Sequence, residues 1–202
     1  KTVAIKKSMI SESFYRKNFL ITGAGGSIGS EIIRQLIEYK PNIVVLLDNN
    51  EPSLYKINNE LTQQFHEVIN FFPLLGDACD KNLILNILKK YNVDYIFHAA
   101  AYKHVPLVEK NKLQGIYNNV FSTLNICKAS LESNVKKIIL ISTDKAVRPT
   151  NVMGASKRLA ELIIQAFENR SYKSEMSHLM KNNHKCFTLV RFGNVLGSSG
   201  SV

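Results

Sequence analysis

The chain has 202 residues, of which 45% are hydrophobic and 21% charged, and a formal charge of +10. That content suffices for one buried core, makes one domain the default and excludes a disordered chain. No apolar run is long enough to cross a bilayer, and the N-terminus does not resemble a signal peptide.

The basic residues are scattered, with no run denser than Lys6-Lys7, Lys89-Lys90 or Lys136-Lys137. A solvated surface is the plain reading of the charge; an anionic substrate or a nearby membrane surface also suits it. No nucleic-acid partner is expected, because no stacking aromatics interleave a basic stripe. Cys79, Cys127 and Cys186 are odd in number, far apart and without a CxxC pair. They read as buried free thiols of a reducing compartment, not as a disulfide or zinc site. His66, His178 and His184 lack ligand spacing, so no metal is expected. The chain begins at Lys1 and ends in the loop-like run Gly197–Val202. A fragment is therefore expected, with room for a membrane anchor outside it.

In chain order, residues 1–17 are polar, basic and weakly patterned, like a linker or N-terminal arm. Phe19–Thr22 reads as a buried strand. Ile28, Ile32, Ile33, Leu36 and Ile37 then recur at helical spacing. Ile43–Leu47 is a second strand, ended by Asp48-Asn49-Asn50, and Leu54, Ile57, Leu61 and Phe65 form the next helix stripe. Val68–Leu75 is a third strand, Leu83, Ile84, Ile87 and Leu88 a helix stripe, and Tyr95–His98 a fourth strand. A long helix is expected over Leu113–Ser133, a fifth strand over Ile138–Ile141, a helix over Thr150–Asn169 and a sixth strand over Phe187–Arg191. Residues 170–185 read as a polar surface excursion. Strand–helix alternation of this kind means right-handed βαβ units, hence an α/β fold with a doubly wound parallel sheet and helices on both faces. Residues 18–202 form that domain.

Thr22-Gly23-Ala24-Gly25-Gly26-Ser27-Ile28-Gly29 joins the first strand to the first helix. Gly23 permits the tight turn, Gly26 lets backbone approach a pyrophosphate, and Gly29 lets helix and strand pack closely. The helix N-terminus at Ser27 and Ile28 supplies N–H groups and a positive dipole end. With the acidic Asp48 ending strand two, this is a dinucleotide-binding, Rossmann-type pattern. Asp48 suits both ribose hydroxyls and repels a 2′-phosphate, which favours NAD over NADP; the lesser alternative is a capping or turn aspartate. Asn49, not Arg, follows it.

The Thr-Gly-x-x-Gly-x-x-Gly spacing resembles extended short-chain dehydrogenases/reductases. Gly76-Asp77-Ala78-Cys79-Asp80 resembles that superfamily's adenine segment, which implies Asp77 and Ala78 at the base. His98-Ala99-Ala100-Ala101-Tyr102-Lys103-His104-Val105-Pro106 follows strand four, its alanines letting a cofactor lie across the strand ends. Asn118-Asn119-Val120 resembles the structural asparagine segment. Ser142–Lys157 resembles the active site of the CapD-like polysaccharide-biosynthesis 4,6-dehydratases, and Arg191–Gly197 resembles their substrate-diphosphate segment.

The resemblance covers residues 19–202. It implies a UDP-N-acetylglucosamine 4,6-dehydratase with bound NAD, a UDP-sugar substrate and a homo-oligomeric state. It also implies a C-terminal substrate domain largely absent from this chain. Thr143 would bond the sugar C4 oxygen. Asp144 would be the acid, with a raised pKa, and Lys145 the C5 base, with a lowered one. Lys157 would hold the nicotinamide ribose. Lys103, His104, Arg191 and Asn194 would meet the substrate. Asp144-Lys145 could instead be a strand-end salt bridge, His104 a packed loop residue and Arg191 half of a structural pair.

Met153 stands where most of the superfamily has a proton-transferring tyrosine, and a thioether cannot take a proton. That leaves Asp144, directly or through water, to deprotonate the C4 hydroxyl. Met there resembles the membrane-anchored, C5-retaining branch, which implies the cytoplasmic face of the bacterial inner membrane. A UDP-sugar 4-epimerase shares the fold and the C4 oxidation but needs no Asp–Lys pair. A non-catalytic NAD-binding domain would explain the missing tyrosine but not Thr143-Asp144-Lys145.

Overall fold

The computed structural model describes residues 7–65, 69–176 and 185–195. The strands are β1 (Asn18–Thr22), β2 (Ile43–Asp48), β3 (Asn70–Leu75), β4 (Tyr95–His98), β5 (Lys137–Thr143) and β6 (Cys186–Phe192). Interleaved with them are helices α1 (Lys7–Phe14), α2 (Ser27–Ile37), α3 (Glu51–Phe65), α4 (Lys81–Lys90), α5 (Val105–Lys110), α6 (Lys112–Ile116), α7 (Ser122–Leu131) and α8 (Val152–Met176). The strands form one sheet, ordered β3-β2-β1-β4-β5-β6, and every pairing is parallel.

Alternation along the inner strands explains the layering. Phe19 and Ile21 of β1, with Val44 and Leu46 of β2, join the core beneath α2 and α3. Leu20, Val45 and Leu47 point the other way, into the core beneath α4, α7 and α8. Ile96 is fully buried, and burying a side chain of that size stabilises by about 2 kcal/mol. An exposed ion pair such as Lys81–Glu132 contributes far less, so apolar burial sets the sheet. Pro73 sits in β3, at the sheet edge, where its missing N–H costs least.

Four expectations need correcting. The supposed N-terminal arm contains α1, because Phe14 sets its ring edge-on to Phe19, Tyr39, Tyr95 and Phe97. Helix α5 is an addition; its six residues are too few for a periodic signal. The expected Leu113–Ser133 helix runs from Lys112 to Leu131 but contains a π-helical turn, Tyr117–Phe121. Helix α8 continues past Asn169 to Met176, so residues 170–176 are helix rather than excursion. His66, His178, His184 and the Leu196–Val202 run lie outside the described residues.

The chain reverses its direction of growth between β3 and β4, which lie on opposite sides of β1. In open α/β sheets such a switch point opens a crevice at the carboxyl ends of the strands. Phe14 is only half-buried. Phe14→Ala should therefore cost about 2 kcal/mol, less than for a fully buried ring. Urea denaturation checks this, and a loss near zero would mean that α1 is not part of the folded unit.

Candidate active site

The loop after β1 is shaped by contact between backbones. Gly23 has φ of +67°, and a Cβ there would stand 2.7 Å from Ala100 N. A Cβ on Gly29 would run into the Gly23 carbonyl oxygen. Gly25, to which the sequence pattern assigns no role, leaves no room for a side chain either, because Ser53 would lie 2.6 Å from its Cβ. Its N–H donates to Asp48 Oδ2 at 2.8 Å, while the Asn50 N–H donates to Oδ1 at 2.9 Å. Asp48 thus ties the glycine loop to the end of β2. The residue capping α2 is Gly26, and no side chain caps this end of the helix, where the dipole favours an anion.

These features border a cavity of about 1140 Å³. Gly23, Gly26, Ser27, Ile28 and Gly29 line it from the loop and α2, and Asp48 and Asn49 from the end of β2. Asp77 and Ala78 come from the end of β3, and Ala99, Ala100 and Ala101 from the end of β4. Lys103 and His104 line it too, together with Asn118 of the structural asparagine segment and with Asn111 and Gln114, which the sequence reading did not assign. Asp77 is fixed by accepting from the Cys79 N–H at 2.8 Å.

A polar column runs beneath the cavity floor. Thr22 Oγ1 lies 2.7 Å from His98 Nδ1, and His98 Nε2 lies 3.1 Å from Thr123 Oγ1. Thr123 donates to the Asn119 carbonyl. The Asn119 side chain accepts from the Tyr102 N–H at 2.7 Å and donates to the Tyr102 carbonyl and to Ser156 Oγ. Asn119 therefore locks the segment after β4 to α8. Burial, with the Lys157 ammonium nearby, pushes the His98 pKa down to about 3, so His98 is neutral.

The other group of expected residues lies at the ends of β5 and β6. Thr143 Oγ1 donates to Asp144 Oδ1 at 2.9 Å, and Lys145 Nζ is 3.7 Å from the same oxygen. Lys145 Nζ also donates to Asn194 Oδ1 at 3.1 Å. Thr143, Asp144, Lys145 and Asn194 are not in the cavity lining, but Val195, the neighbour of Asn194, is. Asp144 departs from expectation. Its side chain is 58% exposed, and the Thr143 hydroxyl, then the Lys145 ammonium, hold its pKa below the usual carboxylate value. Raising it would require excluding water, and nothing among the described residues covers it.

Met153 is buried in the first turn of α8, and its carbonyl accepts from Ser156 Oγ. Lys157 is buried, and desolvation lowers its pKa to about 8 although Glu161 opposes the shift. Arg191 takes the structural alternative, its Nε and Nη2 each donating to Glu161 at 2.7 Å. The Glu161 side chain is wholly buried and also accepts from Ser142 and Arg158. Burial pushes its pKa up, but these hydrogen bonds win and hold it at about 2. Among the described residues no group of His, Cys, Asp or Glu could hold a metal ion. Cys79 and Cys127 are buried free thiols and Cys186 a half-buried one.

A family model described as "Polysaccharide biosynthesis protein" matches residues 19–202. The chain belongs to that family. Over 200 residues it is 43% identical to the capsular polysaccharide biosynthesis protein CapD of Staphylococcus aureus, covering 99% of this chain and 32% of that protein. It is 36% identical over 191 residues to the UDP-N-acetylglucosamine 4,6-dehydratase (inverting) of Campylobacter jejuni, covering 94% of this chain and 52% of that one. Among solved structures, Pen from Bacillus thuringiensis aligns with a TM-score of 0.81 at 35% identity, covering 94% of this chain and 54% of that chain. The resemblance to CapD-like members of the short-chain dehydrogenase/reductase superfamily therefore holds, and the chain spans about a third to a half of these family members.

His98 and Glu161 make the fold of this chain acid-sensitive. The unfolded chain protonates His98 below its ordinary value of 6.5, and the folded chain only near 3. For Glu161 the corresponding values are 4.5 and about 2. In both windows the unfolded state binds more protons, so stability falls as pH falls. Thermal midpoints should decline gently below pH 6.5 and more steeply below 4.5, and His98→Gln should remove the gentle stage. A midpoint unchanged between neutrality and about pH 5 would contradict the assignment.

Proposed function

We propose that the chain is the dinucleotide-binding and catalytic half of a nucleotide-sugar 4,6-dehydratase, which converts UDP-N-acetylglucosamine to its 4-keto-6-deoxy product using tightly bound NAD. The observation that carries this is the Thr143–Asp144–Lys145–Asn194 chain of contacts at the carboxyl end of β5, joined through Val195 to the cavity. The cavity residues fit a dinucleotide. The uncapped α2 N-terminus takes the pyrophosphate, Asp48 the adenosine ribose, and Asp77 and Ala78 the base. Ala99–Ala101 form a floor without bulky side chains; Lys157, which is buried and does not line the cavity, is assigned the second ribose on the family resemblance.

Bound nicotinamide supplies reversible hydride transfer, out of the sugar at C4 and back at C6. The protein's own residues do the proton chemistry. Thr143 orients the C4 oxygen. Asp144 as found is an exposed carboxylate, which suits it to take the C4 hydroxyl proton, directly or through water. A sugar seated over it excludes water and raises its pKa, so that it then returns a proton to the departing C6 hydroxyl. Lys145, as the neutral amine, takes the C5 proton that the 4-ketone has made acidic and hands it back to C5 once C6 has received hydride. Lys103 and His104 meet the sugar nucleotide from the cavity wall. Arg191 supports the diphosphate through the positive charge of the Arg158–Glu161–Arg191 cluster.

Met153, placed where the superfamily has tyrosine, supports the C5-retaining branch. The exposed row Leu113, Tyr117 and Phe121 supports a homo-oligomer. No helix of the described residues is long and apolar enough to cross a membrane. The site we assign to the protein is the cytoplasmic face of the inner membrane, held there by an anchor outside these residues.

The test is mass spectrometry of UDP-N-acetylglucosamine incubated with the full-length protein and catalytic NAD⁺. Loss of one water without net reduction of the nicotinamide is expected, whereas conversion to an isomer of unchanged mass would make the protein an epimerase. Asp144→Asn should abolish turnover while leaving NAD⁺ affinity unchanged. Full activity in that variant would remove Asp144 from the mechanism.

A further inference from the structure

The wall of the cavity formed by α2 and α3 carries a charge arrangement that Asp48 alone does not explain. Two cationic side chains, Arg34 of α2 and Lys56 of α3, line it there. In a pocket near a ribose, such a pair would ordinarily welcome a 2′-phosphate, since a guanidinium binds phosphate in a two-pronged manner. Arg34 is already engaged. Its Nε donates to Glu60 Oε1 at 2.6 Å and its Nη2 to Glu60 Oε2 at 2.9 Å. Its remaining nitrogen, Nη1, lies 3.4 Å from both Ser30 Oγ and Glu31 Oε2. All three guanidinium nitrogens therefore have partners on the protein. Glu31 and Glu60 stand against Arg34, and Asp48 lines the same cavity.

Stability does not account for this pair. Its side chains are 41% and 29% exposed. Ion pairs so open to water add little to stability. The two-pronged geometry does fix direction, and it occupies the face of Arg34 that a phosphate would use.

We propose that Glu60 is a specificity-determining residue of this site: by engaging Arg34 it denies the ribose 2′ position a phosphate partner, so that the protein selects NAD over NADP. The inference rests on the dinucleotide reading of the cavity. Asp48 repels a 2′-phosphate directly, and Glu60 removes the counter-charge that would offset the repulsion. Removing Glu60 frees Arg34 and shifts the local balance by one charge toward positive. Removing Arg34 as well takes that gain away.

The experiment is calorimetric titration of the full-length protein with NAD⁺ and, separately, NADP⁺. It is run on the unaltered protein, Glu60→Ala, Arg34→Ala and the double variant. Both residues are surface residues, and matching thermal midpoints confirm that each variant is folded. Glu60→Ala should move the ratio of the two affinities toward NADP⁺ by about tenfold, the worth of one charge-assisted contact. Arg34→Ala should leave the preference for NAD⁺ intact, and the double variant should return to the unaltered ratio. NAD⁺ binding with an unchanged ratio in Glu60→Ala would overturn this inference alone. A shift that persists in the double variant would also overturn it, since Arg34 would not be the group released. Failure of the unaltered protein to bind NAD⁺ would overturn the cofactor reading and this inference with it.

Discussion

Backbone meets backbone where β1 and β4 end, and the site is arranged around that contact. The Ala99 N–H donates to the Thr22 carbonyl at 3.1 Å, and Gly23 turns so close to Ala100 that no Cβ fits between them. Gly29 then closes on the Gly23 carbonyl. These three approaches bring the α2 N-terminus to the crevice between the strands, a place that suits an anion. The same closeness brings Thr22 within hydrogen-bonding distance of His98 and starts the polar column that ends at Ser156 on α8. The helix that carries Met153 and Lys157 is thus positioned through the floor of the cavity. Among the described residues no buried side-chain polar atom lacks a partner, so the column fixes geometry without the penalty of an unsatisfied group.

A second constraint lies under β5. Glu161 holds Ser142, Arg158 and Arg191 at once and thereby joins α8 to the ends of β5 and β6. Two cations on one carboxylate leave a surplus of positive charge, although each guanidinium already has a partner. An anion near Thr143 would feel that field without needing a free arginine. This reconciles a resemblance that assigns Arg191 to a diphosphate with a structure that places it on Glu161.

The parts of the fold that were legible in the sequence are those with a period or a steric demand. β4 could be read to the residue because Tyr95–His98 is a short run of strand-forming residues between the polar Asp94 and the alanines Ala99–Ala101. The glycine spacing carried the loop because Gly23 and Gly29 admit no side chain. α1 was illegible because a single aromatic, Phe14, docks it, and one residue makes no pattern. α8 ran on because its polar C-terminal stretch has helix-compatible residues and no breaker. In the site, Asp48, Asn49, Asp77 and the three alanines lie together because each follows a strand end, which sequence shows. The Asp144 charge state, the Arg191–Glu161 pair and the Arg34–Glu60 pair were not legible. They depend on residues 30 or 26 positions apart meeting, or on what covers a side chain.

The π turn at Tyr117–Phe121 bears on how the family can vary in length. A π turn accommodates a longer hydrogen-bonded repeat than the α-helix around it. It places Asn118 at the cavity and Asn119 on the polar column while Ile126 and Cys127, farther along, still face the core. Losing one residue there would rotate everything beyond it by roughly 100°, one residue's share of a helical turn. Either the asparagines or the buried stripe would then face the wrong way. Insertions and deletions are therefore costly in this helix, and changes of length among relatives belong in the loops on either side of it.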